Sequence, residues 1–292
     1  MCSTCTRASS KYKVGCCFGI GSGMLMSCMS KHEVYVNPPV ALVALEVKHP
    51  SSDQLTPAET RGIRQRLREY VPIAKNASAV NTIVVPGGQG SARVEPFTRL
   101  VDRSNTMAVS FRQEALVVET STYLGWDVFR TVVAEAIKAR LTEAPIEGVE
   151  RVGLRYINEV RVPLASPHID WTEWVQPQLC GPRSAADPLP LVRWQGVGLY
   201  GEQPGRMVIF RYGPIAEGSG LNLQIELRRR TPPTPGPFFL MDIDSFWTPD
   251  KDIPEANYDQ LMSRCDEIHE PVSAIFENSV TDQLRGVFRQ NA

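Results

Sequence analysis

The sequence predicts an α+β fold: two related units of antiparallel sheet with helices on one face, ending in a long C-terminal helix. Three observations lead there. Short apolar segments that alternate with polar residues recur with tight connections, the pattern of antiparallel strands. Each run of strands ends in a segment of helical period. Strands come in runs, not in strict turn with helices, which argues against a Rossmann or TIM architecture. The order reads β-α-β-β-β-β-α and then β-α-β-β-β-β-α-α, over residues 33–148 and 149–292, with no residue-level repeat between them.

The elements follow in chain order. "VNPPVALVALEVKHP" opens with two prolines that stop any helix, and its Val/Leu/Ala run predicts a strand entering the core. In "LTPAETRGIRQRLREYVP", Thr56 is placed to cap a helix, Pro57 to start it and Glu59 to close a capping box, with Ile63 and Leu67 in the buried stripe. A short strand around "VNTIVV" and the loop "PGGQGS" lead into a meander, "EPFTRLVDR", "TMAVSFRQ" and "ALVVETSTY". "GWDVFRTVVAEAIKARL" places Phe129, Val132, Val133, Ala136, Ile137 and Leu141 at helical spacing.

"VGLRYINEVRVP" opens the second unit with strict alternation. Asp170 is placed to cap a short "DWTEWV" turn, and four strands are expected at "LVRWQGVGLYG", "GRMVIFRYGP", "LNLQIELRRR" and "PFFLMDIDSF". The long helix is expected to be capped by Asp252 and broken or kinked at Pro271, since an interior proline costs about 3 kcal/mol. A last helix is expected from Ser279 or Thr281.

Composition sets broad limits. Of 292 residues, 42% are apolar and 22% charged, as in an ordinary globular chain. The formal net charge of −1 disfavours nucleic acid as a general partner. Nothing approaches the roughly 18 to 20 consecutive apolar residues of a membrane span. Five of the seven cysteines (Cys2, Cys5, Cys16, Cys17 and Cys28) lie in a leader, residues 1–28, unlike the rest. Half a zinc site at "CSTC" and a lipoprotein box at Cys28 compete there with a misplaced translation start, the true one being Met24, Met26 or Met29; the last is favoured. The remaining body, with isolated Cys180 and Cys265, reads as reduced and cytoplasmic.

A series of segments in fixed order carries a resemblance: "NPPV…LEV", "ETSTYLGWDVF", "GLRYINEVRVP", "DWTEWV", "DIDSFW" and "HEPVSAIFENSVTDQLRGVF". From Val36 to Phe288 the body resembles a sporadically distributed family of uncharacterised bacterial proteins. The resemblance implies no reaction, cofactor or catalytic residue. Sporadic distribution implies a mobile accessory gene, linked to phage or defence loci.

Candidate chemistry is sparse. Asp242 and Asp244 stand two apart on an expected strand, so both carboxylates share one side; with Glu226 they would hold Mg²⁺ or Ca²⁺ in a hydrolase or nuclease. Against this stands a strand running out into solvent. Arg155 offers a fork for phosphate or carboxylate, and Asn158 can read a ligand's amide. Equally, Arg155 and Glu159 fit a cross-strand ion pair, and Asn158 a core residue bonded to backbone. Trp171 and Trp174 are either core or partner anchors. His269, beside Glu270, is a candidate ligand-binding residue that invites a metal or acid–base reading; because Ser273 stands where a second zinc-binding His would be, a capping or packing role beside Pro271 is favoured. Arg228, Arg229 and Arg230 form one basic cluster. No Walker loop or G-x-S-x-G elbow is present. The sequence therefore favours a non-enzymatic binding or adaptor protein with a protein partner or small ligand. A divalent-metal enzyme is the alternative, and a homodimer remains open.

Overall fold

The alternation in "VALVALEVK" becomes β1 (Val40–Lys48), whose Val43, Leu45 and Val47 are buried while the residues between them are only half-buried. This is a computed structural model, and it describes residues 33, 35–83, 91–163, 169–182, 185, 188–189, 191, 193–217, 227–229 and 235–290. The leader cysteines, the "PGGQG" loop, Glu226, Arg230, His32 and His168 lie outside the described residues.

β1 stands near the middle of a nine-stranded sheet. The other strands are β2 (Ile73–Ile83), β3 (Ser91–Val101), β4 (Met107–Phe111), β5 (Ala115–Thr120), β6 (Arg151–Val160), β7 (Gly196–Gly201), β8 (Gly205–Ile215) and β9 (Phe238–Thr248). Their order is β2-β3-β4-β5-β1-β6-β9-β8-β7, and every neighbouring pair is antiparallel. A sheet for each half was the expectation. Instead β1 and β6 pair, with Val43 opposite Tyr156 and Leu45 opposite Leu154, and join the two runs of strands into one sheet. The expected strand "LNLQIELRRR" lies outside the described residues except Leu227–Arg229, which are not in a strand.

Four helices are described: α1 (Pro57–Leu67), α2 (Trp126–Glu143), α3 (Tyr258–Glu277) and α4 (Asp282–Arg289). α1 starts as its sequence predicts, with the Thr56 side chain accepting from the Glu59 N–H and the Glu59 carboxylate accepting from the Thr56 N–H at 2.6 Å. Thr281 caps α4 with its side chain alone, which accepts from the Leu284 N–H, and Asp170 caps a 3-10 turn at Trp171–Glu173. α2 packs on β5, and α3 on β6 and β9. The core between them gathers Val43, Leu45 and Leu154 from the sheet with Phe129, Val133, Ile137, Leu261 and Ile268 from the helices. Each such side chain stabilises the fold by about 1.5–3 kcal/mol relative to exposure. The Cys180 and Cys265 thiols are buried, and burial pushes the pKa of Cys265 up to about 12.

Two expectations about the last long helix are corrected. Its cap is Asn257, whose side chain accepts from the Gln260 N–H, not Asp252. Pro271 neither ends nor divides it: α3 runs on to Glu277. Proline removes the hydrogen bond to the carbonyl four residues back, here that of Glu267. The Glu267 carbonyl instead accepts from Nη1 of Arg206, on β8, at 3.0 Å.

A candidate binding face on the open side of the sheet

Because side chains alternate across a strand, residues that do not face the helices share the other face. The register there sets Leu42, Ile157, Asp242, Arg211 and Val197 in one row across five strands. The next row is Ala44, Arg155, Asp244, Ile209 and Leu199. The face is thus apolar between charges of both signs.

The charges pair both along diagonals and directly across the strands, a reach that long side chains have. Arg155 grips Asp242 with two bonds, Nε to Oδ1 at 2.7 Å and Nη2 to Oδ2 at 2.8 Å. Arg211 approaches the same carboxylate at 3.6 Å. The Asp242 side chain is only 5% exposed, whereas those of Arg155 and Arg211 are 48% and 44% exposed. The hydrogen bonds to Asp242 hold the Arg155 guanidinium above its ordinary range. Arg151 spans Asp244, at 3.0 Å, and Glu46, at 3.2 Å, and lies over the Phe246 ring. Gly153 leaves the room for it, since a Cβ there would stand 2.6 Å from Arg151 Cζ.

Glu159 closes a second knot. Its side chain is 7% exposed and accepts from Arg229 at 2.6 and 2.7 Å and from Arg161 at 3.2 Å. Burial alone pushes this carboxyl up, but the bonds and charge of Arg229, aided by Arg161, outweigh it and hold the pKa below the usual value. Through this pair the 227–229 segment is tied down to β6. Leu227 packs on Val101 and Ala108, burying that part of the face.

Between β6, β9, β8 and β7 the face holds a cavity of about 240 Å³. Arg155, Arg211 and Asp242 supply its charged lining, and Ile157, Val197 and Leu240 are among its apolar walls. Such a site can hold a carboxylate or phosphate group against the two guanidiniums and an apolar body against the walls.

The sequence-predicted residues divide between the two faces. Arg155, Glu159, Asp242 and Asp244 come together on the open face. Asn158 points the other way, is 2% exposed, and donates to the Met241 carbonyl at 3.1 Å, holding β6 to β9. Trp171 is buried against Phe239, and Trp174 is partly buried on the same core. His269 stacks on Trp126 at 4.2 Å between ring centroids. Asp242 and Asp244 are both engaged by arginines, and among the described residues no group of three or more His, Cys, Asp or Glu is arranged for a metal ion. Sequence reasoning missed Arg211, although it is the one charge on its face of β8, and Arg151, which shares its face of β6 with Arg155 and Glu159.

No family model matches the chain, and no curated protein matches it. Among the described residues no helix is long and apolar enough to cross a membrane.

Proposed function

We propose that the protein is a non-enzymatic binding or adaptor protein, and that its open sheet face receives a carboxylate-bearing group from a small ligand or from a partner's acidic segment. The cavity carries the reading: two half-exposed guanidiniums are held in place by a buried aspartate and flanked by apolar walls. β7 supports it. This is the last strand in the sheet order, and its Val197, Leu199 and Tyr200 are 60%, 63% and 52% exposed. An exposed strand edge is where an extended partner segment adds itself by backbone hydrogen bonds.

We also read residues 33–148 and 149–292 as two related units that share the sheet. Each half places its first strand at the centre, β1 and β6, with its last strand beside it, β5 and β9. The earlier strands of each half then step outward to the edge. The family resemblance adds the expectation of a bacterial accessory gene.

A native mass spectrum of the gently purified protein, beside fluorescence anisotropy with a labelled oligoglutamate peptide, tests the binding reading. Binding of the peptide, or an added mass, that is lost in Arg211→Gln and in Arg155→Gln supports it. No added mass together with no peptide binding, or binding that both variants leave intact, overturns it.

A further inference from the structure

A second cavity lies on a different part of the molecule, between the 53–55 turn, β3, the end of β4 and the last turns of α2, with a volume of about 200 Å³. A single buried water needs only about 10–15 Å³. Arg140, from α2, and Arg112, just past β4, both line it.

Arg140 is 3% exposed, in the stripe of α2 that otherwise buries Val133, Ala136 and Ile137. Its Nη1 donates to the Ala144 carbonyl and its Nη2 to Ser52 Oγ, both at 2.7 Å. Both acceptors are neutral, and Nε is buried with no hydrogen-bond partner. No described carboxylate forms an ion pair with this guanidinium. Burial lowers its pKa and only Glu59 opposes this, yet arginine remains charged at any physiological pH. Arg112 repeats the pattern: its Nε too is buried without a partner, and its guanidinium lies over the Phe97 ring at 4.9 Å. Asp53 lines the cavity as well, but it is exposed and pairs with neither arginine.

An uncompensated buried cation is costly and is normally paired. Here two guanidiniums line one space: that of Arg140 is buried without a carboxylate partner, and that of Arg112 is partly exposed. We propose that this cavity is an anion site, and that Arg140 and Arg112, which both line it, together hold a phosphate group through their guanidinium N–H groups. Guanidinium suits that ligand because its planar donors match the oxygens of a tetrahedral anion. Gln54 and Gln113, also in the lining, add neutral polar groups.

Inorganic phosphate is the probe. The full chain is titrated by calorimetry and by thermal melts, with ionic strength held constant by sodium chloride. A saturable response with a dissociation constant of about 1 mM or tighter is expected. Arg112→Gln, at a partly exposed position, should weaken it about tenfold, the value of one charge-assisted hydrogen bond. Arg140→Met should abolish the response while the protein melts at an equal or higher temperature without phosphate, since an apolar side chain relieves the buried charge. If Arg140→Met does not fold, Arg112→Gln decides. No saturable phosphate response in the native protein, or one unchanged in Arg112→Gln, overturns the proposal.

Discussion

Replacing Glu159 by Gln keeps the shape of the side chain and removes its charge, which isolates what the ion pair contributes. In the native protein the carboxylate is 7% exposed and takes two bonds from Arg229 and one from Arg161, whose side chains are each 25% exposed. Breaking a fully buried pair costs about 3–5 kcal/mol. The partial exposure of both arginines lets water recover part of that, so about 2–3 kcal/mol is expected. For a body of this size the loss corresponds to a fall of about 4–12 °C in Tm. The pH dependence gives a second signature. The folded pKa lies below the ordinary 4.5, so the stabilising contribution is present above 4.5 and is lost as pH falls through the folded value. Urea unfolding at pH 7 and across the acid limb, on the native protein, Glu159→Gln, Arg229→Met and the double variant, measures both effects. A loss below about 0.5 kcal/mol, the range of exposed pairs, would refute the reasoning. So would an acid limb that Glu159→Gln leaves unchanged.

Arg206→Gln leaves the Glu267 carbonyl without its donor and should cost about 0.5–1 kcal/mol, given the exposure of Arg206. In a Pro271→Ala background, where the helix supplies its own N–H, that cost should shrink; equal losses in both backgrounds would disprove the link. His49 is 0% exposed, and burial, with the Pro50 carbonyl only partly opposing it, lowers its pKa below 6.5. Its contribution is therefore present above pH 6.5 and erodes as pH falls towards the lowered value, and His49→Leu should flatten that part of a stability–pH curve. Mg²⁺, Mn²⁺ and Ca²⁺ should leave the melting temperature unchanged, because Arg155 and Arg151 already occupy the Asp242 and Asp244 carboxylates. A shift that Asp242→Ala removes would restore the metal reading.

Local chemistry was legible in the sequence where short-range geometry decides it. The Thr56–Glu59 box needs only three residues of spacing, and the inward set of β1 follows from a period of two. Partners across the sheet were not legible. Arg155 and Glu159 stand four apart on one face of a strand, so a pair between neighbouring strands was reasonable. Topology instead gives Arg155 to Asp242 and Glu159 to Arg229, residues far along the chain. Whether the two runs of strands join depends on the β1–β6 contact, which alternation cannot encode because either strand would pair equally well elsewhere. Arg140 was within reach: it falls in the apolar stripe of α2, and only its residue type hid it. The expected break at Pro271 is absent because the rule that proline ends a helix assumes no outside donor for the stranded carbonyl, and Arg206 is one.

The arginine run "ELRRR" shows how far pairing changes the meaning of a charge cluster. As a sequence it offers three adjacent cations, and a protein that neutralises several phosphates loses affinity steeply as salt rises, by about 0.7 to 0.9 log units per contact per tenfold salt. In the folded chain Arg229 is already bound by both oxygens of Glu159. A nucleic acid would have to displace a buried, charge-assisted pair to use it, losing about as much as it gained. Arg228 is exposed, and its backbone N–H and carbonyl are committed to Asn105 and Ser121. Arg229 and the Arg228 backbone therefore fasten the 227–229 segment to the sheet. With a labelled single-stranded oligonucleotide, anisotropy should show no more than weak binding, with a salt slope shallower than about −1, the value for one contact. A slope of about −2 or steeper that Arg228→Gln reduces would mean that the run reaches phosphates after all, and that Glu159 releases Arg229 on binding.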